Sequence, residues 1–410
     1  MDLMKFGDKF TQTIKEGWRK RAEPIPGRKK LLILIVVGIL FFGGIIALDN
    51  LVLRPHLNEI FGEPIDLSYY QERGQAILDG QIPYLDFESE SPPLVMYLMV
   101  IPQYFGGEMW MYQLYFALFA ILTSVSIYLG FRRFNDFYAF TAGISYLFLP
   151  YAFIEFTLGV QDEAITVLFF VLPLITFIMG RMAYSGLLFT LGTWTKFIDI
   201  LLIPWAILKA RTNRDRTVLV VVFAGLSLAV VLPFLICCPE EFLSFPIYYF
   251  LGDPNAQTGG SGISPWHFLD LGGYGLPGWA GATLTVASLL AATLMAYHWK
   301  MRFWEGATFI IIIFFIFYPK IAFVYFTMPA ILLLMWGVRD ERVLWRLILM
   351  SIPLFAAVAF SENGNELILD YSWGWIVGLS LSLAGWAIFV HAWWLTKGKP
   401  TFFEEDPAVP

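Results

Sequence analysis

Charge is scarce in this 410-residue chain, where Asp, Glu, Lys and Arg make up 15% and hydrophobic residues 58%. So little charge excludes an ordinary soluble domain, and apolar runs recur along the whole length. The expected fold class is an all-α polytopic membrane protein with no large soluble domain attached. Cysteine is nearly absent. Its two copies are the neighbours Cys237 and Cys238, which rarely form an unstrained disulfide and read as reduced apolar residues near a helix end. The 4 histidines are not paired at ligand spacing, which argues against a zinc site. No glycine-rich phosphate loop ending in Gly-Lys-Ser/Thr occurs, which argues against an ATP-driven pump. Internal repeats of roughly 20 to 50 residues are also missing, which argues against solenoids. The net charge of -6 says little about partners, because what matters is the side of the membrane each charge faces.

What is present is an order of charges and spans. Residues 1–30 carry Lys5, Lys9, Lys15, Arg19, Lys20 and Arg21 between Leu3, Phe6, Phe10, Ile14 and Trp18. This predicts a cytosolic, basic, amphipathic helix lying on the membrane, ended by Pro24, Pro26 and Gly27. Twelve spans are expected within 31–398: 31–48, 108–131, 137–156, 163–180, 183–194, 197–208, 217–238, 279–299, 303–318, 321–337, 343–360 and 373–395. Fourteen Lys and Arg of the later loops and tail then fall inside, and Arg54, Arg73, Lys196 and Lys320 outside, which satisfies the positive-inside rule. Both termini are cytosolic in this topology. Pro93 to Phe105 is too short to span and contains Pro102, so it reads as an interfacial helix. Long outer loops cover 50–92, 239–278 and 361–372, and the acidic tail 399–410 is expected to be disordered.

The outer loops hold the chemistry-bearing residues. Asp66 follows the first span and is either a general base or the cap of a helix through Tyr69, Tyr70, Arg73 and Leu78. Asp86, Glu88 and Glu90 follow a turn set by Gly80, Pro83 and Tyr84, and alone they read as a solvated loop. Asp162 and Glu163, after Gly159 and Gln161, sit at a helix start, where they are either site acids or partners of the macrodipole. Lys196 at membrane depth needs an anion, and Asp199, three residues on, is one candidate. Lys320 beside Tyr318 and Tyr325 is a similar cation. The loop 239–278, with its aromatic ends and Ser264, Pro265, Trp266 and His267, has the make-up of a lid. His267 alone reads more readily as a hydrogen-bonding interface residue.

These residues resemble a known pattern. Asp66, Tyr69, Tyr70, Ala76, Leu78, Gly80, Pro83, Tyr84, Asp86, Phe87, Glu90, Pro92, Pro93 and Leu94 are similar to the first outer loop of the GT-C superfamily of membrane glycosyltransferases. The resemblance is nearest to the polyprenol-phosphate-mannose-dependent mannosyltransferases. It continues through Gly159, Gln161, Asp162, Thr195, Lys196, Ser264, Pro265 and Trp266, and more loosely through the hydropathy of nearly the whole chain. Ser91 departs from the pattern, replacing the usual aromatic before Pro-Pro-Leu, and no Lys follows the Gly-Gln element.

The resemblance implies a GT-C-like bundle of about twelve helices. It implies that Asp66 is the base and that Asp162 or Glu163 is the second acidic site. The donor would be a polyprenyl-phosphate sugar, and the acceptor a lipid or glycan at the outer face. Donor contacts are expected from Tyr69, Arg73, Tyr84, Asp86, Glu90, Gln161, Lys196, Trp266, His267, Lys320 and Tyr325. No Asp-x-Asp motif occurs, so a nucleotide-sugar donor is not expected. No cofactor is identified, a divalent cation stays open, and nucleic acid is not an expected partner. The rival reading is a transporter or flippase of a lipid-linked sugar, which would share the apolar groove and acidic mouth.

Overall fold

The structure, a computed structural model, describes residues 16–61, 64–244, 261–361 and 373–405. The first fifteen residues of the basic helix, 245–260 of the expected lid, 362–372 and the end of the tail lie outside them. The described residues are mostly helical. Gly27–Leu48 runs through a π-helical turn, Asp49–Leu53, into Arg54–Phe61. Ile65–Leu78 and Pro93–Tyr104 then pack on each other before Met109–Phe131 begins. Met109–Phe131 lies against Gly27–Leu48, Asp136–Leu147 and Glu163–Ile178. Met182–Thr195 packs between Glu163–Ile178 and Asn213–Cys237.

Among the described residues five helices are long and apolar enough to cross a membrane, or six if the bent pair Asp136–Leu147 and Pro150–Leu158 counts as one span. The chain is therefore a helical membrane protein. The peripheral helices turn apolar side chains outward, as at Leu40 in the first, Val221 and Leu228 in Asn213–Cys237, and Leu290 and Leu294 in Gly278–His298. Other apolar helices are shorter. Glu163–Ile178 has 16 residues, about 24 Å at 1.5 Å per residue against a hydrocarbon core of about 30 Å. Glu163–Ile178, Phe303–Phe317 and Thr327–Gly337 are buried almost all round, the hallmark of a helix enclosed by protein. Such a helix has no lipid-facing length to match.

At the end opposite the first helix's C-terminus, two expectations are corrected. The break in the N-terminal segment falls at Glu23 to Pro26, so Arg28, Lys29 and Lys30 belong to the apolar helix. Lys30 is buried there and pairs with Asp136. Residues 399–405 are packed, contrary to a disordered tail from 399. Phe402 and Phe403 are buried, and Phe403 stacks on Phe131 at 4.3 Å between centroids. Glu404 accepts from the Trp304 amide at 3.1 Å, and Trp336 Nε1 donates to the Lys399 carbonyl at 2.9 Å. Burial raises the Glu404 carboxyl above its ordinary value, opposed by hydrogen bonds from Thr401 and by Arg302. An aromatic pair has more to gain in the core than an acidic, proline-bearing tail gains in water.

Phe403→Ala is expected to destabilise the protein by about 3 kcal/mol or more in chemical unfolding, as for a buried aromatic truncation. Phe105→Ala, at an exposed position, should change stability by less than about 0.5 kcal/mol.

Candidate active site

Five chain segments meet where the first apolar helix ends. Ile65–Leu78 brings Asp66, Tyr69, Tyr70 and Arg73, and the stretch before Pro93 brings Glu88 to Pro92. The turn before Glu163–Ile178 brings Gln161, Asp162 and Glu163. Thr195 and Lys196 close the end of Met182–Thr195, and Tyr325 comes from the 3-10 turn Phe323–Phe326. Together they wall a cavity of about 560 Å3.

The local sequence explains how these groups are aimed. Pro64 is the N-cap residue of Ile65–Leu78, and no side chain caps that helix. Asp66 therefore does not serve as its cap, and one carboxylate oxygen accepts from Gln161 Nε2 at 2.7 Å. Gln161 is placed by an unusual turn. The π-helical turn Ile154–Leu158 stops at Gly159, where a β-carbon would meet the Glu155 carboxylate at 2.8 Å and the Glu155 carbonyl at 2.9 Å. Val160 follows with φ of 51°, a costly left-handed conformation for a β-branched residue, and it is fully buried. Strain held beside a cavity of acidic groups marks a turn whose geometry matters more than its ease of formation.

Lys196 is the hub of the charges. The helix stops at Thr195, Lys196 is extended, and its ammonium pairs with Glu163 and, at 3.4 Å, with Asp162 Oδ1. It also lies 4.9 Å from the centroid of the Tyr325 ring. Asp199 is not its partner. That carboxylate is fully buried against Gly192, and among the described residues neither oxygen has a hydrogen-bond partner. Arg73 sits over the Tyr69 ring at 5.2 Å and donates to Ser91 Oγ at 2.9 Å. Among the described residues it pairs with no carboxylate.

Tyr70 is buried, and its hydroxyl accepts from the Asp162 amide at 3.3 Å. Burial first, then the charges of Asp162, Asp66 and Glu163, hold its phenol well above the ordinary value. It stays neutral at physiological pH, so proton acceptance in the cavity falls to the carboxylates.

Asp66, Tyr69, Arg73, Glu90, Gln161, Asp162, Glu163, Lys196 and Tyr325 are thus brought together, while five other expected contacts do not line the cavity. Tyr84 is buried between Phe234 and Phe242, each 5.2 Å away between centroids, and its hydroxyl donates to the Ser91 carbonyl. Burial raises its phenol far above the ordinary range. Asp86 closes its own turn by accepting from the Ile82 amide at 2.7 Å. Ser264 caps Pro265–Leu271 by accepting from the His267 amide, His267 is fully buried, and Trp266 Nε1 donates to the Ile316 carbonyl at 2.9 Å. Lys320 lies on a parallel bridge, opposite Ser261. Burial lowers its ammonium, against which the Glu90 charge acts.

Two groups were missed from sequence. Glu155, on the π-helical turn, and the buried set Asp49, Arg54 and Gln113 are polar residues within or beside apolar runs, and that placement was the available signal. Among the described residues no group of three His, Cys, Asp or Glu could hold a metal ion. No family model matches the chain, and no curated protein matches it.

Removing one member of a buried ion cluster leaves the rest uncompensated. Lys196→Met should therefore cost about 3 kcal/mol in chemical unfolding. Adding Glu163→Gln to that variant should recover most of the loss. Asp199→Asn should cost nothing.

Proposed function

We propose that the chain is an inverting glycosyltransferase with a GT-C-like bundle of about twelve crossings, the short enclosed helices included. It moves a sugar, mannose in the nearest reading, from a polyprenyl-phosphate donor to a lipid or glycan acceptor. Both termini are cytosolic in this reading, and the cavity opens at the outer face of the cell membrane. The observation that carries it is Asp66. The carboxylate lines a cavity at the end of an apolar bundle, Gln161 holds one of its oxygens, and a strained turn fixes Gln161.

The chemistry follows from those groups. Asp66 takes the proton of the acceptor hydroxyl as that oxygen attacks the anomeric carbon. The bond from that carbon to the phosphate oxygen breaks on the opposite side, and the lipid phosphate leaves with the electron pair. Its charge needs a cation. Arg73 is better placed than Lys196, because Lys196 is already held by Asp162 and Glu163, whereas among the described residues Arg73 is braced by Tyr69 and Ser91 and by no carboxylate. Apolar helix faces beside the cavity suit the polyprenyl chain.

The test uses the purified full chain in lipid with radiolabelled polyprenyl-phosphate mannose and a crude membrane-lipid acceptor extract. Asp66→Asn should keep donor binding and lower turnover by at least about a hundredfold, the scale of a lost general base. Turnover equal to the wild type would remove Asp66 from the mechanism. Donor bound and moved across liposomes with no transfer by the wild type would favour the flippase reading.

A further inference from the structure

The end of the first apolar helix carries a buried polar cluster that the transfer chemistry does not use. Asp49 is fully buried, and its Oδ2 accepts from Arg54 Nη2 at 2.7 Å, Arg54 Nε at 3.2 Å and Gln113 Nε2 at 2.6 Å. The same donors reach further. Arg54 Nη2 also donates to the Leu158 carbonyl at 2.7 Å, and Gln113 Nε2 to the Thr157 carbonyl at 2.8 Å. Asn50 Nδ2 donates to Gln113 Oε1 at 2.6 Å, which fixes the direction of that amide.

Thr157 and Leu158 close the π-helical turn that delivers Gln161 and Asp162. Arg54 opens the helix Arg54–Phe61 that precedes Asp66. One buried carboxylate therefore joins the two segments that meet again in the Gln161 to Asp66 hydrogen bond. Carbonyls at a helix end need donors, and an apolar bundle offers no water to supply them. Guanidinium and amide donors anchored by a carboxylate are strong and directional. Burying an ion pair contributes little to stability compared with apolar packing, so the geometry it imposes is the better account of its presence.

We propose that Asp49 is a positioning residue of the site. By holding Arg54 and Gln113 it fixes residues 157–162, and through them the Gln161 bond that orients Asp66. Its effect on turnover rests on the transferase reading, while its effect on the turn does not.

Asp49→Asn leaves the buried Arg54 uncompensated and can fail to fold, so the test pairs it with the double variant Asp49→Leu with Arg54→Met, which replaces the ion pair by apolar side chains. The first readout is amide hydrogen exchange in the full chain. In the double variant, exchange over 157–163 should rise at least about tenfold while 127–140 is unchanged. Unchanged exchange at 157–163, or a rise spread evenly through the bundle, overturns the proposal. The second readout is turnover. The double variant should lower kcat about 10- to 100-fold, the cost of misplacing a reacting group, with KM for the polyprenyl-phosphate mannose donor held within about twofold. In a Gln161→Ala background the same change should have no further effect, because both act through one hydrogen bond. Fully additive losses overturn the route through Gln161. A wild-type chain that transfers no sugar would defeat the transferase reading and leave the exchange result to decide the clamp.

Discussion

One cation organises the acidic end of this bundle. An ammonium at the end of an apolar helix is costly without an anion, and so are two adjacent carboxylates shielded from water. Lys196 with Asp162 and Glu163 meets both constraints at once. That cluster pins the start of Glu163–Ile178 against the end of Met182–Thr195, and its contact with Tyr325 brings in a third element. Once the turn is fixed there, the Asp162 amide can reach the Tyr70 hydroxyl, and Gln161 faces Asp66 from the neighbouring segment. The base proposed here therefore depends on a charge cluster beside it.

Much of this arrangement is legible in the order of the residues. The lengths of the apolar runs and the distribution of Lys and Arg put Asp66, Gln161 to Glu163 and Lys196 at the same end of the bundle, and the structure joins them in one cavity. Sidedness is a coarse property, and hydropathy records it well. Partner choice is finer. Spacing along a helix pointed to Asp199 for Lys196, but that rule holds only while the helix continues, and here it stops at Thr195. Trp266 and His267 failed for a related reason. Ser264 and Pro265 begin a helix, and the capping bond buries His267 away from the cavity. In the tail, acidic and proline content hid the two phenylalanines that decide its packing.

The cavity's charge balance narrows what it can hold. Among the described residues, Asp66, Glu88, Glu90, Asp162 and Glu163 face Arg73 and Lys196 and no other cation along its walls. A field of that sign repels a free polyanion such as a nucleotide diphosphate and tolerates a neutral sugar hydroxyl close to a carboxylate. A single lipid phosphate is admissible on one side of the cavity, where Arg73 is braced by Tyr69 and Ser91 and pairs with no carboxylate among the described residues. Asp66 lies seven positions from Arg73, two turns along the same helix. With the phosphate at Arg73 and the acceptor hydroxyl at Asp66, the anomeric carbon would lie between them, as an in-line displacement requires. In the proposed transfer the spacing of two residues on one helix would set the separation of base and leaving group, and the turn carrying Gln161 would keep the base at its end of that line.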